Sequence, residues 1–189
     1  MPTQDSQTVD TLYGPVPARV FAAAANIRLL VCDVDGVLSD GRIYMGNQGE
    51  ELKTFHTLDG FGLKAVRELG IEVGIITGRE SRIVSDRMRA LGIEHVYQGQ
   101  GDKLPAFRDL LDKLALAPEQ AAYIGDDVID IPVMQACALG CAVANAHPLV
   151  RRAAAYITRQ HGGDGAVREV CDLLLQANGQ LAQAIGASI

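Results

Sequence analysis

Tryptophan is absent from the 189 residues, and aromatic side chains make up only 5% of them. Surfaces that stack on bases or anchor at a membrane interface draw on such rings, and here they are scarce. Basic residues are also in deficit, with 17 Lys and Arg against 23 Asp and Glu, a formal net charge of −6. That balance excludes a broad nucleic-acid-binding face, although a local basic pocket remains compatible with it. No apolar run approaches the ~20 residues that span a bilayer. Residues 1–11 carry neither a basic cluster nor an apolar stretch, so no signal peptide is expected. The four cysteines, Cys32, Cys137, Cys141 and Cys171, lie in or beside apolar segments, and no histidine or second cysteine pair completes a zinc set. They read as small buried apolar residues in a reducing compartment. A cytoplasmic protein with neither membrane nor nucleic-acid partners is expected.

What is present is an ordinary globular balance, 48% hydrophobic and 21% charged. A chain of this length buries one core without disulfides. One domain over 21–176 is expected, preceded by a flexible extension over 1–20 and followed by a polar, alanine-rich tail over 177–189. Short β-rich runs alternate with helical segments, the pattern of a parallel sheet. Strands are predicted at 27–32 (IRLLVC, continuously apolar), 73–76, 95–97, 121–124 and 139–143. Helices are predicted at 59–69, with Asp59 as the candidate cap and Gly70 as the stop, at 80–91 before Gly92, at 104–114 and at 166–176. One segment breaks the rhythm: two β-like runs within 43–55 flank Gly46-Asn47-Gln48-Gly49, a hairpin projecting straight after the first strand. The fold class is therefore α/β, a Rossmann-like parallel sheet flanked by helices, with a projecting β-hairpin and no cap domain.

Open α/β sheets bind ligands beyond the carboxyl ends of their strands. Asp33-Val34-Asp35-Gly36 follows the first predicted strand, Thr77-Gly78-Arg79 the second, and Gly125-Asp126-Asp127 with Asp130 the fourth, while Lys103 opens the helix after the third. Carboxylates gathered on one edge call for a hard cation, and an oxygen-only donor set suits Mg²⁺. Magnesium in turn points to phosphate chemistry, with the lysine and the hydroxyl donating to phosphoryl oxygens.

These four motifs, in this order and spacing, resemble the haloacid dehalogenase superfamily. The resemblance implies that Asp33 attacks phosphorus and becomes an aspartyl-phosphate. Asp35 would protonate the leaving alkoxide and later deprotonate the attacking water. Asp33, the backbone carbonyl of Asp35 and Asp126 would hold Mg²⁺; Thr77 and Lys103 would bind the transferring phosphoryl group; Asp130 would orient the set. Aspartate at 35, rather than threonine, implies rapid hydrolysis and so a phosphatase or a mutase. No cap domain fits after the first motif or between Thr77 and Lys103, which implies the capless branch, whose members complete their sites from neighbouring subunits. A homotetramer is therefore expected, built by hairpins pairing with their copies. The glycine-rich run 162–165 would let the C-terminal part reach a neighbour's pocket.

Within that branch the chain is similar, from 27 to 175, to phosphatases of acidic eight-carbon sugar phosphates. The likeness rests on DVDGVLSDG at 33–41, Lys53-Thr54-Phe55 with Asp59-Gly60, ITGR at 76–79, GDDVIDIP at 125–132, and Gly162-Gly163 followed by GAVREV. It departs at Leu58, where many relatives carry arginine, and at Asp164, where a basic residue is frequent. A substrate anionic at both ends implies further basic contacts from Lys53, Lys64, Arg79 and Arg87 beside Lys103. Asp35 and the stretch His56, Thr57, Leu58, Asp59 and Gly60 would line the pocket. Plainer readings stand beside these: Lys103 as a solvated helix-start lysine, Lys64 and Arg87 on ordinary helix faces, His56 as a structural residue, and Asp127 as a helix-start carboxylate. A related nine-carbon sugar phosphate is the rival substrate. A catalytically silent relative is the rival class, and the intact Asp33, Asp35, Lys103 and Asp126 argue against it.

Overall fold

The computed structural model describes residues 7–182. The first six residues of the expected extension and positions 183–189 of the expected tail lie outside the described residues. Continuously apolar runs form the centre. Strand β3 (Leu29–Cys32) is buried along its whole length, as is β8 (Ala121–Gly125) beside it. Such strands need helices on both faces, and parallel pairing needs a crossover between neighbours. The chain supplies both. Strands β6 (Glu72–Ile76), β7 (His95–Tyr97), β9 (Leu139–Ala142) and β10 (Tyr156–Ile157) complete a parallel sheet of order β10-β9-β8-β3-β6-β7. Around it lie α1 (Ala18–Ala25), α2 (Thr57–Glu68), α3 (Arg82–Ala90), α4 (Leu104–Leu114), α5 (Ile131–Ala136), α6 (Pro148–Ala153) and α7 (Ala166–Ala177). Strand order reverses at β3, between β6 and β8, which makes its carboxyl end the switch point where a doubly wound sheet opens a crevice.

Several expectations need correction. The segment given as a flexible extension holds an antiparallel hairpin, β1 (Thr8–Thr11) with β2 (Gly14–Pro17), and the start of α1. Val16 is buried, and the Tyr13 hydroxyl donates to Asp172 of α7 at 2.8 Å. Two prolines stand in β2, Pro15 and Pro17, and an isolated hairpin edge tolerates them. Strand β10 went unforeseen because two residues carry no pattern. Helix α2 starts at Thr57, not at Asp59, and its cap is His56, whose Nδ1 accepts from the Leu58 N–H at 3.1 Å. The projecting hairpin is present but short, β4 (Tyr44–Met45) with β5 (Glu51–Leu52).

The glycine run before α7 is no free joint. The Gly162 N–H donates to Asn145 Oδ1 at 2.9 Å and the Gly163 N–H to the Val37 carbonyl at 2.8 Å. A Cβ on Gly162 would overlap the Gly36 carbonyl oxygen. Helix α7 then buries nine of its twelve residues, packing on α2 and α1 of its own chain. It is therefore part of the core of its own chain. Among the described residues no helix is long and apolar enough to cross a membrane.

Candidate active site

Asp33 leaves β3 with its N–H still held by the Ile124 carbonyl of β8 at 3.1 Å. The first motif then turns sharply. The amides of Val37, Leu38 and Ser39 all return to the Val34 carbonyl, and Gly36 takes φ +92°. Glycine is required there twice over, because a Cβ would also run into the Asp126 carboxylate. Thr77, at the end of β6, is buried, with its N–H on the Tyr97 carbonyl at 2.9 Å. Three motifs from three adjacent strands thus meet at one sheet edge.

The fourth partner reaches them from α4. The Lys103 side chain is fully buried, with Nζ 3.0 Å from Asp33 Oδ1 and 2.7 Å from Asp130 Oδ1. A solvated lysine is thereby excluded. Asp130 is the organiser: its Oδ1 also accepts from the Tyr123 hydroxyl at 2.6 Å, and its Oδ2 accepts from the N–H groups of Asp126 and Asp127 at 3.0 and 3.1 Å. Its carboxylate crowds Gly125 so closely that a Cβ there has no room. Asp130 thus fixes both the lysine and the turn that presents Asp126. Tyr123 gave no signal in the sequence beyond its place in a strand. Asp127 caps the following turn, accepting from the Val128 N–H at 2.7 Å, as its plainer reading has it.

The electrostatics leave room for a cation. Asp33, Asp126 and Asp130 each present an oxygen within 4.8 Å of the others. Against these three carboxylates stands one ammonium. Burial pushes the Asp33 carboxyl up to about 6, with Lys103 opposing and Asp130 adding to the rise. Burial, then the charges of Asp33 and Asp130, push Asp126 up to about 8. Burial disfavours the Lys103 ammonium, but the two carboxylates outweigh it and hold it charged. Asp126 Oδ1 is buried without a hydrogen-bond partner. An unpaired buried oxygen among excess carboxylates fits a hard divalent ion, which would pull both acids back to their charged forms. Both oxygens of Asp130 are already engaged, so Asp33 and Asp126 are the side chains with capacity to spare.

The remaining predicted contacts divide. Lys53 hydrogen-bonds Asp35 Oδ1 and lies 3.7 Å from Glu51. Arg79 stands at the rim, with Nη2 3.5 Å from Glu51 Oε1, and Ser81 Oγ donates to Glu51 Oε2 at 2.9 Å. Glu51 was not foreseen, although period-two alternation places it on the face of β5 shared with Lys53, opposite the exposed Leu52. Asp59 does not line a pocket. It is 1% exposed, and its Oδ1 accepts from the Arg168 N–H at 2.8 Å, capping α7 from α2. Gly60 is small to admit Arg87, whose guanidinium would collide with a Cβ there and lies 5.9 Å from the Phe55 ring. Thr57 and Leu58 are exposed, and His56 Nε2 lies 3.8 Å from Asp164. Lys64 belongs elsewhere: it lines a depression with Arg67, Glu68 and Leu91, toward the end of α2 that enters β6 and away from the carboxylates. Helical spacing alone could not tell which end of the sheet it would face.

The chain is similar in sequence and fold to known proteins. The model of the haloacid dehalogenase-like hydrolases matches residues 93–170. The 3-deoxy-D-manno-octulosonate 8-phosphate phosphatase KdsC of Escherichia coli (strain K12) is 62% identical over 179 residues, 95% of each chain. A crystal structure of that phosphatase from Yersinia pestis superposes with a TM-score of 0.92 at 58% identity, covering 93% of this chain and 95% of that one. The enzyme of the same name from Moraxella catarrhalis, in complex with a magnesium ion, a phosphate ion and a KDO molecule, gives a TM-score of 0.87 at 43% identity over 88% and 96%. The chain belongs to the 3-deoxy-D-manno-octulosonate 8-phosphate phosphatase family of the haloacid dehalogenase-like hydrolases.

Proposed function

We propose that this protein hydrolyses 3-deoxy-D-manno-octulosonate 8-phosphate to the free sugar acid and inorganic phosphate, in the cytoplasm, as a step of lipopolysaccharide precursor synthesis. The observation that carries the chemistry is Asp33 at the switch point, 3.0 Å from a fully buried Lys103 and beside the unpartnered Asp126 oxygen. The substrate follows from the relatives' shared activity and from the complex that holds magnesium, phosphate and KDO together.

In the first half-reaction a carboxylate oxygen of Asp33 forms a bond to phosphorus while the phosphorus–alkoxide bond breaks. Asp35 delivers its proton to the departing sugar oxygen. In the second half-reaction water attacks the phosphorus of the aspartyl-phosphate and gives its proton to Asp35, which regenerates the free Asp33. Lys103 neutralises charge on the transferring group, and its buried position keeps that attraction strong. Thr77 binds a phosphoryl oxygen, and Arg79 meets the sugar acid, a role that its exposed position beside Glu51 supports. Asp33, the Asp35 carbonyl and Asp126 hold Mg²⁺, which when bound supplies positive charge opposite the phosphoryl oxygens.

We further assign a homotetramer whose open sites are covered by neighbouring copies. The exposed Ile43, Tyr44, Met45 and Leu52 of the hairpin support that reading. A panel of sugar phosphates compared by kcat/KM with Mg²⁺ tests the activity. The eight-carbon acid phosphate should lead the nine-carbon one by at least tenfold, and the reverse order would replace the substrate while leaving the mechanism in place.

A further inference from the structure

Lys53 was expected to meet the substrate, yet its side chain is only 2% exposed and its ammonium lies between two carboxylates of its own chain, Asp35 and Glu51. An ammonium so far removed from water needs anions beside it to offset its lost hydration. A substrate carboxylate would have to displace one of those partners. From these contacts, and resting on the phosphatase reading above, we infer that Lys53 is a positioning residue. It holds the acid/base Asp35 by Oδ1, so that Oδ2 carries the proton to and from the reacting oxygens.

The structure shows what fixes Lys53 in turn. Glu51 and Lys53 share one face at the end of β5, while Leu52 between them is exposed. Glu51 Oε2 accepts from Ser81 Oγ at 2.9 Å, and its Oε1 lies 3.5 Å from Arg79. Ser81 is buried, and its N–H donates to Gln98 Oε1 at 2.7 Å. A continuous set of contacts therefore runs from the loop after β6, which carries Thr77, through Glu51 and Lys53 to Asp35. The hairpin is more than a protruding arm: its second strand sets the carboxylate that moves the proton relative to the residue that binds the phosphoryl group. A change of hairpin position would misplace Asp35 without touching Asp33 or Lys103.

The test compares two leaving groups on the assembled protein with Mg²⁺. A sugar alkoxide leaves only with a proton from Asp35, whereas 4-nitrophenolate leaves without one. In Lys53→Met, kcat for the sugar phosphate should fall at least 30-fold with KM changed less than threefold. With 4-nitrophenyl phosphate, the first burst of nitrophenolate should keep its rate within threefold. A slow steady state should follow, because water attack still needs Asp35 as base. Lys53→Arg should recover at least a third of the lost kcat, since it offers the same charge and donor. A tenfold rise in KM with kcat retained would make Lys53 a substrate contact instead. Equal losses of burst rate and sugar-phosphate turnover would reduce it to general support of the fold. Should Lys53→Met not fold, Glu51→Gln carries the same readout in weaker form. A retained burst with lowered kcat supports the inference, and two unchanged rates overturn it. Failure of the phosphatase reading looks different, because the unaltered protein would then release phosphate from neither substrate, and this inference would fall with it.

Discussion

Asp33 and Asp130 are both buried carboxylates beside the same lysine, yet their partners divide the work. Asp130 spends both oxygens on Lys103, Tyr123 and two backbone amides, whereas Asp33 meets Lys103 at Oδ1 and takes one backbone hydrogen bond at Val34. Asp33→Asn keeps the shape and removes the nucleophile, so turnover should fall below a thousandth of the original, a barrier rise of more than about 4 kcal/mol. A phosphate-release assay with loss below tenfold would unseat Asp33 as nucleophile. The raised acids also make metal removal dependent on pH. Unfolded aspartates release their protons near 3.9, but the folded, metal-free site holds them to about 6 at Asp33 and about 8 at Asp126. Between those values the folded state binds more protons than the unfolded one, so these groups cost stability progressively as pH rises from about 4 to about 8. Thermal melts in chelator should show this decline, and Mg²⁺ should raise Tm more at pH 8 than at pH 5. An equal gain at both pH values would separate the ion from these carboxylates.

Two joints between elements hold the scaffold under the site. The first is Asp59 of α2, which caps α7 across the core through the Arg168 N–H, backed by an Arg168–Asp172 ion pair at 2.9 Å. Losing a cap costs about 1–2 kcal/mol. Asp59→Ala should lower the unfolding free energy measured by denaturant titration by that amount, whereas Asp59→Asn, which keeps an accepting oxygen and sheds a buried charge, should cost less. Burial raises the Asp59 carboxyl despite the backbone donors around it, which favours the neutral replacement further. The second joint is the backbone contact of Gly162 on Gly36. Gly162→Ala would force the first motif away from Asp126, so kcat should drop at least a hundredfold in steady-state assays while α7 stays helical by circular dichroism. Full activity in that variant would show that the two loops part freely.

At the scale of the whole molecule the projecting hairpin bears on what covers the site. The hairpin exposes Met45 at 80% and Leu52 at 68%, large apolar side chains on strands of two residues each. Such a unit is marginal by itself, and burying it against copies removes both the apolar surface and the free edges. Light scattering should report a tetramer at micromolar concentration. Leu52→Glu should shift it toward monomer and lower kcat/KM at least tenfold, with Asp33 and Lys103 untouched. A monomeric unaltered protein with full activity would refute the assembly.

How much of this was legible beforehand differs by element. Strands β3 and β8 are buried on both faces, so their apolar runs announced them, and with them the carboxylates that follow. Asp33, Asp35, Thr77, Lys103 and Asp126 sit where local signals place them, at strand ends and a helix start, and parallel connections have only one hand in which to bring those ends together. Side chains on helices and in turns were harder. Asp59, Gly60 and Lys64 share a helix with the predicted pocket wall, but one caps α7, one makes room for Arg87 and one faces the far edge. Those roles depend on which element lies across the interface, information that no periodicity within α2 contains. The same holds for Lys53, whose charge meets Asp35 because the hairpin brings it back to the first motif. The sequence by itself determined five of the six strands of the sheet, the order of its motifs and the chemistry at their tips. Only the tertiary structure decided which charges neutralise one another inside the protein and which stay free for a ligand, because that choice depends on distances across the core.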